Sequence, residues 1–183
     1  PRHRQPVQGS RQGNSKVTDD YDAVDDTYCY PGTTVLKNRL DIRTQDKLEE
    51  YIAAMTFQRA AEPFPAGRLD HAHFLAIHHH LFQDVFDWAG KIRTVRISKQ
   101  GNPFCYPEYI DREMRRVFAE LSRENHLRGL DAETFALKAA HVLAELNAVH
   151  PFREGNGRTQ NTFLTILAES ASYPLNLERL NRP

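Results

Sequence analysis

The sequence lacks an excess of charge of either sign, because its 183 residues hold 24 Lys and Arg and 24 Asp and Glu. This balance excludes the strongly basic surface that favours nucleic acid or an anionic membrane. No apolar run is long enough to cross a bilayer, and the first residues do not show the apolar centre of a signal peptide. We therefore expect no nucleic-acid partner and no membrane partner, and phosphate recognition would require a local site.

Cysteine is also scarce. Cys29 and Cys105 lie far apart and form no CxxC pair, which argues against a disulfide framework and favours two free thiols in a reducing cytosol. The 40% share of hydrophobic residues is ordinary for a globular protein. A chain of this length is sufficient for one compact domain with a substantial core.

Residues 1–27 have the composition of a tail. Positions 1–16 are rich in Arg, Gln, Gly and Ser, and residues 19–26 contain five aspartates. A segment with few apolar side chains and a block of one charge cannot offset the conformational entropy lost on folding. We predict a disordered or linker tail over 1–27 and a folded domain over 28–183, beginning at the aromatic and Pro-Gly cluster at 28–32.

The pattern after this tail is mainly helical. Apolar residues recur at spacings of three and four in five stretches, which begin near Thr44, Asp70, Pro107, Asp131 and Gly155. The first, second and fourth of these starts are typical N-cap residues. We predict that the second helix ends near residue 90 at a glycine, and that the fourth, with little polar surface, is central and buried.

One stretch departs from the helical period. Lys91 to Ser98 alternates β-branched with polar residues, and a turn sequence follows at 100–103. This pattern predicts a β-hairpin at the edge of a helical protein. The sequence therefore predicts an all-α fold with one hairpin.

The loop at 150–158, His-Pro-Phe-Arg-Glu-Gly-Asn-Gly-Arg, carries side chains suited to phosphate chemistry. Its Gly-Asn-Gly segment precedes a helix whose first N–H groups lack intrahelical partners and attract anions. Arg158 opposes the helix dipole unless a polyphosphate lies nearby. Glu154 suits magnesium, and His150 can accept a proton near neutral pH. The combination indicates phosphoryl or nucleotidyl transfer to a hydroxyl group.

The same residues also fit a purely structural interpretation. A Gly-Asn-Gly sequence before a helix is often only a turn, and a histidine at a helix C-terminus often binds the last carbonyl groups. The residue spacing alone leaves both interpretations open.

The stretch 150–158 resembles the Fic family motif, HPFx(D/E)GNGRxxR, over nine consecutive residues. Residues 91–107 are similar to the hairpin of that family called the flap, and 69–90 resemble its preceding helix. The cluster at 28–32 resembles the Fic domains of bacterial type IV secretion effectors, such as those of Bartonella. The resemblance covers about residues 28–180. It implies a Fic-like helical bundle with one β-hairpin flap.

The resemblance implies a nucleotidyltransferase that moves AMP from ATP to a Tyr, Thr or Ser hydroxyl of a target protein, with Mg²⁺ as cofactor. In this interpretation His150 is the base, Glu154 holds the metal, and Arg158 contacts the phosphates. The anion hole would be formed by Gly155, Asn156 and Gly157. Phe152 would anchor the loop in the core.

The flap implies a protein partner. Ile97, Ser98 and Lys99 would pair with an extended target segment by strand addition and present its hydroxyl to the base. The sequence shows no (S/T)xxxE(G/N) inhibitory pattern, so the resemblance also implies a separate small antitoxin-like inhibitor. It implies a protein of the bacterial cytoplasm, or a virulence effector secreted into the cytosol of a host cell.

Asn161 departs from the family motif, which has a second arginine at this position to orient the γ-phosphate. The departure leaves two alternatives to ATP-dependent AMP transfer. One is a catalytically impaired Fic-fold module that only binds a peptide, and the other is a transferase with a different nucleotide or phosphodiester donor.

Other histidines favour structural roles. His78, His79 and His80 point about 100° apart on a helix and cannot share one metal ion, so we predict one inward histidine and two on a wet face. His141 lies on the apolar fourth helix, where a core or pocket-wall role is predicted.

Overall fold

The structure, a computed structural model, describes residues 22–23 and 26–175. This part of the chain confirms the predicted all-α class with a hairpin flap. In chain order the elements are β1 (Asp22–Ala23), α1 (Gln45–Ala60), α2 (His71–Phe82), β2 (Ile97–Lys99), β3 (Asn102–Pro103), α3 (Pro107–Arg123), a 3-10 turn (Asn125–Leu127), α4 (Ala132–Val149) and α5 (Asn156–Ser170). None of the helices in the described ranges is both long enough and apolar enough to cross a membrane.

Two predicted N-caps are confirmed by their side-chain contacts. Asp70 accepts a hydrogen bond from the backbone N–H of His73 at 2.9 Å. Asp131 accepts one from the backbone N–H of Thr134 at 3.0 Å. Thr44 occupies the N-cap position of α1, but its side chain makes no capping bond. Since carboxylates at the first turn also favour the helix dipole, both aspartates define where their helices start.

The predicted end of α2 near Gly90 is wrong. The helix ends at Phe82, and residues 83–90 form successive turns. Gly90 does adopt a left-handed conformation (φ 78°), but its N–H binds the ring of His78 instead of closing a helix end. The glycine therefore ends the turn segment that folds back onto α2.

The predicted burial of α4 is also wrong. Phe135, Ala139 and Leu146 are buried, whereas Leu137 is 68% exposed and His141 is exposed. The helix packs against α3 and α5 through one stripe, so its remaining apolar residues face solvent. The scarcity of polar residues on α4 therefore did not mean that another element covers all of its faces.

The core is organised around α2, which packs against α1, α3 and α5. The ring of Phe74 lies 5.7 Å from those of Phe118 and Phe152 and 5.5 Å from that of Phe163, measured between centroids. Phe152 is fully buried, as predicted. Since burying such a side chain contributes about 1.5–3 kcal/mol, this cluster joins the loop firmly to the helical bundle.

The hairpin is shorter than its sequence pattern predicts. β2 begins at Ile97 instead of Lys91 and pairs with β3 through Lys99 and Asn102. The preceding residues bind elsewhere, because the backbone N–H of Arg93 donates to the carbonyl of Pro151 at 2.9 Å. The alternation of β-branched and polar residues therefore begins before the paired strand, at residues that form no β-ladder.

β1, the first described element, lies before the predicted domain boundary at residue 28. β1 pairs antiparallel with the outer edge of β2, with Asp22 opposite Ser98 and Ala23 opposite Ile97. Asp26 is partly buried and binds the loop. The rest of the predicted tail, 1–21 and 24–25, and the end of the domain, 176–183, lie outside the described residues.

Candidate active site

The loop between α4 and α5 is buried over almost its whole length. Residues 150–156 are all buried, and only Gly157 and Arg158 reach solvent. His150 ends α4 in a left-handed conformation (φ 51°), and Gly155 precedes α5 in another (φ 84°). Two such residues reverse the chain within a few positions, which brings the end of one helix beside the start of the next.

Gly155 has no room for a side chain. A Cβ atom at this position would lie 2.2 Å from Cζ and 2.4 Å from Cε2 of Phe82. Its positive φ independently favours glycine. Gly157 differs, because a Cβ there would meet no atom within 4 Å. The space beside Gly157 therefore opens at the N-terminus of α5, where N–H groups face outward.

The side chain of Asn156 holds the loop closed. Its Oδ1 accepts from the backbone N–H of Phe152 at 2.9 Å, and its Nδ2 donates to the carbonyl of the same residue at 2.8 Å. Asn156 is fully buried. Its side chain is thus committed to the loop, and only its backbone N–H can contribute to the predicted anion hole.

Glu154 and Arg158 form an ion pair one turn apart at the start of α5. Arg158 Nη2 lies 3.2 Å from Glu154 Oε1, and Nη1 donates to Thr56 Oγ1 of α1 at 3.3 Å. Glu154 is only 3% exposed. The motif alone did not indicate Thr56, although it is a rare buried polar residue on α1. A carboxylate and a guanidinium therefore meet at the opening beside the helix start.

The ring of His150 is held on two sides. Its Nδ1 lies 3.1 Å from the carbonyl oxygen of Asn147, and its face stacks on Phe104 of the flap at 3.8 Å between centroids. If Nδ1 donates its proton to that carbonyl, the lone pair lies on Nε2. This arrangement suits a general base with a fixed orientation.

His78 supports the loop from α2. Its Nδ1 accepts from the N–H of Gly90 at 2.8 Å, so Nε2 carries the proton and donates to the carbonyl of Glu154 at 3.0 Å. Complete burial lowers the pKa of His78 to about 3, because a protonated ring at this position would not be hydrated. The prediction of one inward histidine is confirmed. Its contact with the motif could not be predicted from spacing.

Arg153, the variable residue of the motif, binds the N-terminal segment. Its side chain donates to Oδ2 of Asp26 at 2.8 Å and 2.7 Å, and both side chains are largely buried. The thiol of Cys29 donates to the same carboxylate at 3.2 Å. Burial, followed by the bond to Asp26, raises the pKa of Cys29 to about 11. This thiol is therefore a structural group and not a nucleophile.

The remaining predicted site residues lie farther apart. Ile97 is buried in a small cluster with Val95, Ser98 is half-buried, and Lys99 is exposed on the flap. Asn161 is exposed on α5. Across the described ranges, no three His, Cys, Asp or Glu side chains lie close enough together to hold a metal ion. This statement covers the three consecutive histidines at 78–80.

The fold and loop together define a helical protein in which a short buried loop joins a histidine at the end of α4 to the start of α5. A family model described as Fic/DOC matches residues 68–168, more than half of the chain. The chain belongs to the Fic/DOC family, as the sequence motif predicted.

Similar proteins include a probable protein adenylyltransferase of Sinorhizobium fredii, which is 53% identical over 87% of this chain and 84% of its own length. The protein adenylyltransferase VbhT of Bartonella schoenbuchensis is 41% identical over 88% of this chain, which spans 34% of that relative. The crystal structure of BepC from Bartonella tribocorum with bound AMPPNP has a TM-score of 0.76 at 31% identity. That match covers 85% of this chain and 82% of the BepC chain.

Proposed function

We propose that this protein is an adenylyltransferase that moves AMP from ATP to a hydroxyl side chain of a target protein. The observation that carries this proposal is the loop itself, which joins His150 at the end of α4 to the Glu154–Arg158 pair at the start of α5 within nine residues. The names of the relatives and the ATP analogue bound to BepC support the same donor and the same reaction.

The polyphosphate of ATP fits the N-terminus of α5. Gly157 leaves open space there, and the unpaired N–H groups of the first turn supply donors for phosphate oxygens. Arg158 is partly exposed and can donate to phosphate while Thr56 holds its other nitrogen. Together with the carboxylate of Glu154, the anion would offset the unfavourable position of this cation in the first helical turn.

The residues present fit a magnesium ion held with the nucleotide. Glu154 offers a buried carboxylate beside the phosphate position, and phosphate oxygens and water would complete the octahedral set that magnesium requires. When bound, the ion would neutralise charge that develops on the phosphates.

His150 would act on the target hydroxyl. Nε2 takes the proton while the hydroxyl oxygen attacks the α-phosphorus of ATP. The new P–O bond links AMP to the target as the bond to pyrophosphate breaks. Hydrogen bonding of Nδ1 to Asn147 and stacking on Phe104 keep Nε2 oriented for this transfer.

The edge of the flap would receive the target. Its pairing with β1 supports this docking mode, because Ser98 and Ile97 already accept an antiparallel strand there. A target segment that pairs with Ile97, Ser98 and Lys99 would take the place of Asp22–Ala23. Its hydroxyl would then approach the base that stacks on the same flap.

Transfer of label from ATP labelled at the α-phosphate tests this function. The protein is incubated with magnesium and a bacterial or host lysate, and modified targets are identified by mass spectrometry. We expect His150→Ala to lower transfer by about 10²- to 10⁴-fold, since it removes a general base. His141→Ala, on the exposed face of the same helix, is the matched control. Equal labelling by His150→Ala and the parent protein would overturn the assigned base.

Substitution of Asn161 tests the first alternative function, and calorimetry with nucleotides tests the second. A peptide-binding module predicts an inert parent protein in which Asn161→Arg restores transfer, whereas an active parent protein excludes it. A different donor predicts that calorimetry with a panel of nucleotides finds another compound that binds more tightly than ATP with magnesium.

A further inference from the structure

Arg93 is among the largest fully buried side chains of the described structure, with 1% of its surface exposed. Burying a guanidinium is costly unless its N–H groups find acceptors. Arg93 lies in the first part of the flap, before β2, and outside the family motif. Its burial therefore requires an explanation that the motif does not supply.

The acceptors of Arg93 are backbone carbonyl oxygens of two different regions. Nε donates to His150 at 2.8 Å, at the end of α4. Nη1 donates to Val95 at 2.7 Å and Nη2 donates to Cys105 at 2.6 Å. Val95 precedes the first strand of the flap and Cys105 follows the second, so one side chain joins both ends of the hairpin to the loop.

The contact with His150 falls where the backbone is strained. A left-handed conformation is uncommon for a residue with a side chain, and surrounding contacts must maintain it. Arg93 binds the carbonyl of this residue, and its own backbone N–H binds that of Pro151 at 2.9 Å. A cation at the C-terminus of α4 is also favoured by the helix dipole.

We propose that Arg93 is a positioning residue for transfer, which holds His150 in its left-handed conformation and sets its distance from the flap. The proposal rests on the function proposed above. A target strand paired with the flap is then placed relative to the base chiefly by this guanidinium. Further contacts between these regions are the stacking of Phe104 on the imidazole and the backbone bond from Cys105 to Ala148.

The test compares Arg93→Met with Arg93→Lys in the full chain. Methionine keeps much of the side-chain volume and removes every donor, whereas lysine keeps the charge but not the planar fork. Arg59→Met is the control. This substitution also removes two hydrogen bonds of an arginine, both to Asp84, but those bonds join α1 to the segment after α2 and lie outside the flap and the loop. Transfer is expressed per ATP-binding site, counted by calorimetry, so that unfolded protein does not lower the rate.

We expect Arg93→Met to lower kcat by about 10²-fold, since a small displacement of the base has an effect of that size. ATP affinity should change less than about two-fold, Arg93→Lys should lie between, and Arg59→Met should keep the parent kcat per site. If Arg93→Met does not fold, Arg93→Lys decides. A parent-like kcat per site in the variant that folds would overturn the proposal.

Nitrogen NMR of histidine side chains separates this proposal from the proposed function. If Arg93 positions His150, we expect the nitrogen signals of the His150 ring to shift or broaden in Arg93→Lys and to stay unchanged in Arg59→Met. Unchanged ring signals would overturn the positioning role. This result does not depend on transfer, so a parent protein that modifies no target would contradict only the proposed function.

Discussion

The loop at 150–158 and the flap at 91–107 face the same site but are built differently. The loop is buried and is held by side chains from distant elements, including His78 and Arg93. The outer part of the flap, 99–103, is exposed and consists of the last residue of β2, a turn and β3. Ile97 and Ser98 of β2 pair with the two residues of β1 that the structure describes.

This difference separates two requirements of the proposed reaction. Phosphate binding and proton transfer need fixed groups, which a loop with satisfied hydrogen bonds in a dense core provides. Recognition of a protein segment needs an edge that can exchange partners, and backbone pairing provides it with little dependence on side chains. The predictions below test whether the two regions differ as their contacts indicate, beginning with the largest effect.

Alanine at two left-handed glycines should sharpen the contrast most. Gly155→Ala places a methyl group against Phe82, and we expect it to lower the free energy of unfolding by about 3 kcal/mol or more. Gly101→Ala, at the tip of the flap, has a similar φ of 79° but meets no atom within 4 Å, so only strain of about 1 kcal/mol applies. Urea unfolding measures both, and equal losses would contradict the packing difference.

The pH dependence of stability should come partly from the loop support. The unfolded chain protonates His78 near pH 6.5, whereas burial keeps it neutral in the folded state down to about pH 3. Its contribution is therefore complete above about pH 6.5 and is lost as the pH falls towards 3, by about 1.4 kcal/mol per unit.

Replacing His78 tests this contribution. His78→Gln retains a donor for Glu154 but cannot be protonated, so the loss of stability between pH 7 and pH 5 should be smaller than in the parent protein. Urea unfolding at both pH values provides the measurement. His141→Gln, on the exposed face of α4, should keep the parent dependence. An unchanged pH dependence in His78→Gln would show that the buried ring is not its source.

The smallest effect is expected at the flap edge. Proline at both positions of β1, Asp22→Pro with Ala23→Pro, removes the N–H that β1 donates to β2, whichever of the two residues carries it, because only alternate residues donate across an antiparallel pair. Strand pairing of this length contributes about 1 kcal/mol, so the KM for the target should fall by about five-fold at most.

Serine at the same two positions is the control for this change, because it keeps the backbone N–H that pairs with β2 and should leave the KM for the target unchanged. Steady-state transfer to the identified target measures the constant for both pairs of substitutions. A KM that rises in the proline variant would mean that β1 assists docking instead of competing with it.

Local patterns predicted the elements better than their surroundings. Asp70 and Asp131 mark helix starts because a capping bond forms within a few residues. The end of α2 and the exposure of Leu137 were missed, since both depend on which distant segment packs against the helix. The contact of Asp26 with the loop was missed for the same reason, because its ion pair joins it to Arg153, 127 positions away in the sequence.

The order of residues 150–158 by itself determined the family, the glycine-dependent turn and the set of groups available for chemistry. Only the tertiary structure decided how these groups are held. His78 and Arg93 reach the loop across 76 and 57 positions of sequence. A capping bond or a left-handed glycine is a property of neighbouring residues, whereas a buried donor finds its carbonyl only after the helices have packed.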